Sequence, residues 1–593
     1  MAPLATLLLS ALALLPSTTA ATFDYIIVGG GTAGNALGTR LSQRLPSYSV
    51  LIVEAGAAAP SEPGILIPGR KGTTLGTKYD WNFTTVPQSH LANRVVGANR
   101  GKVLGGSSAI NLLCWDRAAA SEYDQWEEVG NPGWNWKSMY SAMARAENYT
   151  TGPRGSGTGG PVKAIVNRHI PAHQEAWIPA VESAFPGIIE ENRDSLRGRP
   201  IGVSHQPSSI DETGWKRSYS ANAYLPLAGE NLRVLTETNV VRVELERDGR
   251  GWKATGVVLG NGTVVGARRE VVLSAGTIQT PGLLELSGIG RTEVLKAAGI
   301  EQKIELLGVG EGLQDHIRVQ TSYQLRDNYT SFDILRYNAT FAAEELAKWQ
   351  AGVPSKYDYT ASGFLFANWK QVTGNDSALV SLARQAVGSS KDAGHKKKLE
   401  QLKDATVPQA EVIFSDGYTG VKGYPAVGTP LYGKGFVTLI AGLMHPLSIG
   451  NVHIDPANPL GKPIIDPKYL DNEYDVQAMV ELAKFNRRLA LSEPLRSTWV
   501  SEYEPGLDRV QTDAEWREFV FNTTLSIFHP TGTAVMLPKK DGGVVDSELK
   551  VYVTMNLRVV DASVIPVQVS AHIQTAVYGI AEKAADIIVS TRG

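Results

Sequence analysis

Glycine spacing near the start of the chain indicates a site for a dinucleotide. Gly29, Gly31 and Gly34 form the pattern Gly-x-Gly-x-x-Gly, and Glu54 lies twenty residues past Gly34. In such a motif the first glycine permits a tight turn, the second lets backbone approach a pyrophosphate, and the third lets a helix pack closely on a strand. Glu54 can accept hydrogen bonds from both ribose hydroxyls, and its charge would repel a 2′-phosphate. The motif therefore favours a dinucleotide other than NADP.

The elements that must position these residues can be predicted from the apolar pattern around them. Residues 25–28 and 49–53 are short apolar runs typical of buried parallel strands, and residues 33–45 have helical spacing. Together they predict one strand–helix–strand unit, the context that the glycine motif requires. The alternative is a glycine-rich turn without a ligand. Residues 231–276 alternate apolar and polar side chains, which predicts antiparallel strands with a turn at residues 260–262.

The composition of the chain excludes several classes of function. Its 593 residues are enough for more than one domain, and a formal net charge of −2 argues against a nucleic-acid partner. The sequence has no His-Glu-x-x-His motif and no paired cysteines, so we expect no metal site. Its one cysteine, Cys114, lies in an apolar run that should raise the pKa of the thiol. We therefore expect a buried or cofactor-adjacent thiol rather than a nucleophile.

The N-terminal segment predicts export. Residues 4–15 are apolar and uncharged, and small residues follow at 17–20, which is typical of a signal peptide although a basic n-region is missing. The alternative is a buried N-terminal helix. No later segment has the roughly 20 apolar residues of a membrane span. Sequons for N-glycosylation favour a secreted or secretory-lumen glycoprotein, and they lie at Asn82, Asn148, Asn261, Asn328, Asn338, Asn375 and Asn522.

Several further segments resemble one enzyme family. The chain reads GKVLGGSSAINLLCWDR at 101–117, SAGTIQTPGLLELSGIG at 274–290, GVGEGLQDH at 308–316 and FHPTGTAVM at 528–536, followed by a long motif at 557–588. Their order and spacing resemble the signatures of the glucose–methanol–choline (GMC) oxidoreductases. The resemblance covers the chain from Phe23 to Ile588.

This resemblance implies an α/β fold with two domains. One is a Rossmann-like FAD-binding domain that is discontinuous in sequence, and the other is an α+β substrate domain built on an antiparallel sheet. We expect the FAD-binding domain at 21–165, 221–320 and 541–593, the substrate domain at 166–220 and 321–540, and the signal peptide at 1–20.

The resemblance also implies which residues hold FAD. They would surround the pyrophosphate, the ribose and adenine, and the flavin with its ribityl chain, and the expected set is Gly29, Gly31, Thr32, Ala33, Gly34, Glu54, Val103, Ser107, Asn111, Leu112, Leu113, Cys114, Val240, Asp561, Ala562 and Ile573.

The implied chemistry is the oxidation of an alcohol, which loses a hydride to the flavin and a proton to a base. Histidine suits the base because its pKa lies near the working pH. The family resemblance assigns this role to His529, with His572 beside it to hold the substrate oxygen. His316 and His445 lack such support, and we expect structural roles for them.

Substrate class is predicted from the residues before His529. Sugar-oxidising family members carry an Arg and an Asn where this chain has Leu525 and Ile527. Leaving sugar hydroxyls unpaired on burial costs roughly 1–3 kcal/mol each. The stretch Ile527-Phe528-His529 instead resembles aryl-alcohol oxidases, and these apolar residues predict a hydrophobic or aromatic primary alcohol. Alternatively, Leu525 points into the core and carries no information on substrate.

Two other functions remain open at this stage. A non-redox lyase or cyclase on the same flavin scaffold, like versicolorin B synthase, would use the two histidines for acid–base chemistry alone. A binding protein without activity is disfavoured because both histidines are present. The C-terminal motif also resembles fungal enzymes of secondary metabolism. The electron acceptor, oxygen or a quinone, the oligomeric state and covalent attachment of FAD are not determined by the sequence.

Overall fold

A computed structural model describes residues 21–152, 156–249, 251–388, 390 and 393–591. The predicted signal peptide lies outside the described residues. Two seven-stranded sheets dominate the described chain, and each has its own large hydrophobic core. No helix in these ranges is both long and apolar enough to cross a membrane.

The first sheet contains the predicted strand–helix–strand unit. Its strands run in the order Leu232–Leu235, Val50–Val53, Thr22–Val28, Val264–Leu273, Gly251–Leu259 and Val240–Asp248, and Leu557–Val559 pairs with Val264–Leu273. The helix Thr32–Arg44 follows the glycine turn.

Strand direction in this sheet differs partly from the sequence prediction. The strands Val240–Asp248, Gly251–Leu259 and Val264–Leu273 form the expected antiparallel meander, with Gly262 in the left-handed region of the turn. Leu232–Leu235, however, pairs in parallel with Val50–Val53. Alternation of apolar and polar side chains predicts a strand, but it does not predict which distant strand pairs with it or in which direction.

Parallel strands of the first sheet end at one edge. Residues that follow these ends, or lie close to them, include Gly29, Glu54, Ser274 and Asp561, and all four line one cavity. The carboxyl edge of a parallel sheet is where such folds bind their ligands.

The second sheet is antiparallel throughout and comes from other parts of the chain. Its strands run in the order Trp499–Glu504, Ile317–Leu325, Phe436–Leu443, Ala410–Asp416, Gly363–Ala367 and Gly202–His205, and Leu525–Ser526 pairs with Ile317–Leu325. The strand Ile317–Leu325 extends across the expected boundary between 320 and 321. The segment boundaries stay predictions.

Helices cover both sheets. Gln574–Ser590 packs beside Thr32–Arg44 and Trp136–Ala146 at the first sheet, and Glu473–Ala490 packs on the second. The remaining helices of eight or more residues are Ala120–Glu128, Trp177–Ala184, Gly276–Leu286, Ala339–Gln350, Ser377–Val387, Ala393–Gln401 and Asp513–Thr523. The shorter ones are Pro63–Leu66, Ser107–Ile110, Ser220–Tyr224, Thr292–Ala297, Ile334–Tyr337 and Trp369–Thr373.

Candidate active site

The glycine turn is shaped by close backbone packing. Gly29 has φ +105°, and a Cβ there would lie 2.4 Å from the carbonyl oxygen of Ser274. A Cβ on Gly34 would lie 1.9 Å from the carbonyl oxygen of Gly29. By contrast, a Cβ on Gly31 would meet only Gly106, at 3.8 Å. Gly29 and Gly34 are therefore needed for the fold itself, whereas Gly31 leaves open space beside the turn.

Glu54 is fixed by backbone groups at the end of its strand. Its Oε2 accepts a hydrogen bond from the amide of Gly30 at 2.8 Å, and its Oε1 accepts one from the amide of Gly56 at 2.7 Å. Burial raises the pKa of Glu54 to about 7, against the lowering effect of these two amides. Each oxygen keeps a further lone pair for a hydroxyl donor.

One cavity of about 540 Å³ joins the glycine turn to the two histidines. Among the predicted cofactor and substrate residues, its lining contains Gly29, Gly31, Thr32, Ala33, Glu54, Ser107, Asn111, Leu112, Cys114, Val240, Ile527, Phe528, His529, Asp561, Ala562, His572 and Ile573. The structure thus gathers residues from across the chain around a single elongated space.

Three of the residues predicted to contact FAD are not part of the cavity lining. Val103 is fully buried in a cluster with Ile65 and Tyr219, and Leu113 is fully buried against Ile210 and Trp215. Both side chains pack in the interior and are not part of the cavity lining. Gly34 is not part of the lining either, because its position serves the close contact of helix and strand.

Leu525 requires a correction to the substrate argument. Its side chain packs against the hydrophobic core of the second sheet and does not belong to the cavity lining. It pairs with Arg318 in a short strand, and the chain reaches the cavity only two residues later, at Ile527. The identity of Leu525 therefore carries no information on substrate.

His529 is held at three points. Its amide donates to Oδ1 of Asp315 at 2.8 Å, its carbonyl accepts from Nε2 of Gln568 at 2.9 Å, and its Nδ1 lies 2.9 Å from Nδ1 of His316. The bond to His316 leaves Nε2 of His529 for a molecule in the cavity. Burial lowers the pKa of His529 well below its usual value, and nearby His572, His316 and Arg100 lower it further. This imidazole is therefore neutral at physiological pH.

His572 has the opposite electrostatic environment. Its amide donates to Oδ1 of Asp116 at 2.9 Å, its Nδ1 lies 2.7 Å from Oδ2 of the same carboxylate, and Oε1 of Glu411 is 3.3 Å away. Burial would lower the pKa of His572, but Cys114, Glu411 and Asp116 together raise it well above its usual value. These surroundings favour the protonated ring.

The carboxylates beside His572 also have the spacing of metal ligands. Ligand atoms of Asp116, Glu411 and His572 all lie within 4.8 Å of one another. Nδ1 of His572, however, already shares a proton with Asp116. Burial raises the pKa of Glu411, His572 lowers it and Asp116 raises it, and the net result is a pKa of about 7. We interpret the group as a buried hydrogen-bonded ion pair.

The two histidine rings face the same space. Their centroids are 4.8 Å apart and the rings are nearly perpendicular, at 79°. One neutral and one protonated imidazole at this distance can divide acid and base work, since their surroundings separate their pKa values. Apolar side chains border the site, and Ile413, Ile440 and Ile527 belong to one small hydrophobic cluster there.

Sequence reasoning missed four residues that support the histidines. Asp116 lies within the segment 101–117 and Asp315 within 308–316, so both were visible in motifs already singled out. His316 was expected to be structural, but it contacts His529 directly. Glu411 lies inside the strand Ala410–Asp416, and no sequence signal marks it.

His445 lies in a buried network away from the cavity lining. Its two ring nitrogens are each 2.9 Å from a neighbour, Nδ1 from Oε1 of Gln409 and Nε2 from Oε1 of Glu122. The same Glu122 side chain accepts from the amide and hydroxyl of Ser570. These contacts connect the end of the second sheet to the C-terminal segment that carries His572.

Comparisons with known proteins agree with the geometry. Two GMC oxidoreductase family models match the chain, one at residues 23–318 and the other at 446–581. The GMC oxidoreductase family protein Mala s 12 of Malassezia sympodialis is 34% identical over 597 aligned residues, which cover 95% of this chain and 92% of that protein.

Solved structures of oxidoreductases also match this chain over nearly its whole length. An FAD-dependent oxidoreductase from Chaetomium thermophilum matches with a TM-score of 0.86 and 29% identity, over 96% of this chain and 99% of its own. A fungal aryl-alcohol oxidase matches with a TM-score of 0.82 and 26% identity, over 96% of this chain and 99% of its own.

Proposed function

The chain belongs to the GMC oxidoreductase family, and from that premise we propose that it oxidises the CH–OH group of a hydrophobic alcohol with His529 as the base. FAD is the cofactor of this family of oxidoreductases. One observation carries the proposal: two imidazoles whose surroundings shift their pKa values in opposite directions lie with ring centroids 4.8 Å apart in the wall of one cavity.

The residues at the other end fit FAD. Open space beside Gly31 and the N-terminus of the helix Thr32–Arg44 suit a pyrophosphate, since backbone amides and the helix dipole favour negative charge there. Glu54 would bind the ribose, Val240 would lie by the adenine, and Asn111 would lie by the flavin. When bound, FAD supplies the acceptor for the substrate hydride.

His529 is proposed to remove the hydroxyl proton. Its Nδ1 is engaged by His316, so Nε2 is the nitrogen that meets the alcohol. A neutral ring can accept a proton, and a general base of this kind contributes roughly 10²–10⁴-fold to a rate. The bond from its amide to Asp315 keeps the ring at the cavity wall.

His572 is proposed to stabilise the developing negative charge on the substrate oxygen. Its Nδ1 is held by Asp116, which leaves Nε2 to donate to that oxygen. A preorganised cationic donor favours the transition state more than the neutral alcohol. Apolar neighbours such as Ile440 and Phe528 keep water from the site and suit a hydrophobic or aromatic substrate.

Flavin reduction without oxygen tests this proposal. The purified holoenzyme is mixed anaerobically with a panel of primary alcohols, and absorbance of the flavin is followed. We expect bleaching with aromatic alcohols and at least a ~10²-fold slower reduction in His529→Ala, because the base is lost. Turnover without bleaching would instead favour a non-redox lyase or cyclase, and near-normal reduction in His529→Ala would contradict the role of this residue.

Exposure of the sequons supports a secreted, N-glycosylated protein. Asn82, Asn261, Asn328, Asn338, Asn375 and Asn522 are exposed, and Asn148 is half-buried. Glycosylation requires surface asparagines in an exported chain. A loss of mass after endoglycosidase treatment of the secreted protein checks this proposal, and an unchanged mass contradicts it. The acceptor of the electrons is proposed to be oxygen or a quinone.

A further inference from the structure

Arg318 is an arginine of the cavity wall that lacks an acidic partner. It is the second residue of the strand Ile317–Leu325, and its neighbours Ile317 and Val319 point into the core of the second sheet. Its own side chain lines the cavity. Nε donates to the carbonyl of Ser526 at 3.1 Å and Nη1 donates to Oε1 of Gln320 at 2.6 Å. Among the described residues, no carboxylate forms an ion pair with it.

The other Lys and Arg side chains of the cavity lining, Lys71, Arg100 and Arg336, each lie near a carboxylate. Arg336 pairs with Oδ1 of Asp333 at 3.2 Å and donates to the carbonyl of Tyr418. Lys71 donates to the carbonyl of Tyr359 and lies 4.6 Å from the centre of that ring. Asp416 also lies near enough to Lys71 to raise its pKa, although burial lowers it to about 8. For Arg318, burial is the cause of the pKa shift, and it lowers the pKa to about 10.

The guanidinium of Arg318 is already oriented for a planar anion. Gln320, which accepts from it, is held in turn by the carbonyl of Thr419 at 2.5 Å. Two of the five guanidinium N–H groups are thereby used, and the other three have no hydrogen-bond partner among the described residues. A half-buried cation without a counter-charge is unfavourable, and a carboxylate bound in bidentate fashion supplies both charge and hydrogen bonds.

Arg318 and the catalytic histidines belong to one continuous wall. Ser526 accepts a hydrogen bond from Arg318 through its carbonyl. It is followed directly by Ile527, Phe528 and His529, which line the cavity. Ile527 packs with Ile440 from the neighbouring strand. The wall thus runs from a cationic group past apolar side chains to the proton-transfer site.

From this arrangement we propose that Arg318 forms a carboxylate-binding subsite, so that the substrate is an alcohol with an apolar body and an anionic group remote from its hydroxyl. The inference rests on the proposed function, because it concerns the far end of the same substrate. It narrows the substrate class from hydrophobic alcohols to hydroxy acids.

Matched acid and ester substrates test the subsite. The probes are 4-(hydroxymethyl)benzoate, 4-(hydroxymethyl)phenylacetate and 4-(hydroxymethyl)cinnamate, each beside its methyl ester, so that three lengths are sampled. In anaerobic flavin reduction we expect kcat/KM to favour the acid by about tenfold or more in at least one pair, since a hydrogen bond to a charged group exceeds a neutral one. Equal values for acid and ester in all three pairs overturn the proposal.

Variants separate this subsite from the chemistry. Arg318→Gln should lose the preference for the acid while its rates with the methyl esters stay within about threefold of wild type. Arg318→Lys, which keeps the charge without the planar fork, should keep part of the preference. Arg336→Gln is the matched control, because that arginine already has Asp333, and it should keep the full preference. A preference that survives in both Arg318 variants overturns the proposal.

Binding without turnover gives a second readout. 4-Methylbenzoate and its cinnamate analogue carry the anion but no hydroxyl, and calorimetric titration should show tighter binding to wild type than to Arg318→Lys by about tenfold. If Arg318→Gln does not fold, the lysine variant and these ligands still decide the question. Failure of every acid and every methyl ester to reduce the flavin counts against the proposed function, whereas reduction by the esters and the acids at equal rates counts against the subsite alone.

Discussion

The part of the cavity at the glycine turn, called the dinucleotide end below, is held by backbone contacts. The part at His529 and His572, called the histidine end, is held by contacts between side chains. At the first end, Gly29 and Gly34 allow close contact between main-chain atoms, and the amides of Gly30 and Gly56 fix Glu54. At the other end, each ring depends on a carboxylate or ring that comes from another part of the chain, as for His572 on Asp116.

This difference predicts two kinds of sensitivity to mutation. A backbone contact has no room to adjust, so one added methyl group at a glycine in close backbone contact should disturb the fold and the cofactor together. A side-chain contact sets the protonation state of its partner, so its loss should change rate and pH dependence while the fold persists.

The largest effect is expected at Gly34. In Gly34→Ala the new Cβ would lie 1.9 Å from the carbonyl oxygen of Gly29, so the helix must move away from the strand. We expect a loss of about 1–3 kcal/mol of unfolding free energy, typical of overpacking, together with loss of bound flavin. Thermal unfolding and the flavin absorbance of the purified protein measure the two effects.

Gly31→Ala is the matched control for that variant. Its Cβ would meet only Gly106 at 3.8 Å, which is ordinary contact, so the fold should be retained. The methyl group would occupy space beside the turn, and we expect weaker FAD binding with little change in unfolding of the apoprotein. Equal destabilisation by both variants would contradict the distinction between the two glycines.

The dinucleotide end could be predicted from the sequence because its parts are close together in the chain. Gly29, Gly31 and Glu54 lie within one strand–helix–strand unit, and hydrophobic periodicity predicts that unit. For Leu113 and Val103, whose side chains pack in the interior, contact with FAD stays a prediction, since resemblance fixes a residue's position in a segment but not which way its side chain points.

The histidine end could be predicted only in part. His529 and His572 lie in recognisable motifs, but their opposite pKa shifts come from the burial of His529 and from Cys114, Glu411 and Asp116 around His572, which the fold brings together. No local pattern marks Glu411, because an acidic residue in a strand is usually solvent-exposed and here it is buried. Pairing between distant segments is the information that a single sequence lacks.

A smaller effect is expected at His316. Both His316 and His529 have a pKa well below the usual value, so one proton lies between their two Nδ1 atoms. When His529 donates that proton, its Nε2 is bare and can act as a base; when His316 donates it, His529 carries its proton on Nε2 and cannot. His316→Phe removes the acceptor, and we expect flavin reduction to slow by about tenfold, less than in His529→Ala.

Replacement by glutamine distinguishes this tautomer role from simple packing. In His316→Gln the side-chain oxygen can still accept from Nδ1 of His529, so the rate should recover most of the loss. If His316→Gln is as slow as His316→Phe while both fold normally, His316 does not set the tautomer of His529. Single-turnover reduction at saturating alcohol gives the rate without a contribution from substrate binding.

The smallest effect at neutral pH is expected from Glu411→Gln, and it should grow as pH rises. In the proposed mechanism protonated His572 is the active form, so activity should be present below its pKa and be lost as pH rises through it. The Glu411 carboxylate is one of the groups that raise that pKa, and removing its charge should move the alkaline limb to lower pH by about one unit. The acid limb, which reports His529 with its lowered pKa, should move little.

Profiles of kcat against pH for wild type, Glu411→Gln and Glu502→Gln test this expectation. Glu502 is another buried carboxyl of the same sheet, but it pairs with Arg487 outside the cavity lining, so its loss should leave both limbs in place. Because burial raises the pKa of Glu411 to about 7, its charge acts on His572 only above that pH. An alkaline limb that stays fixed in Glu411→Gln would mean that Glu411 does not raise the pKa of His572, and of the two carboxylates only Asp116 would then do so.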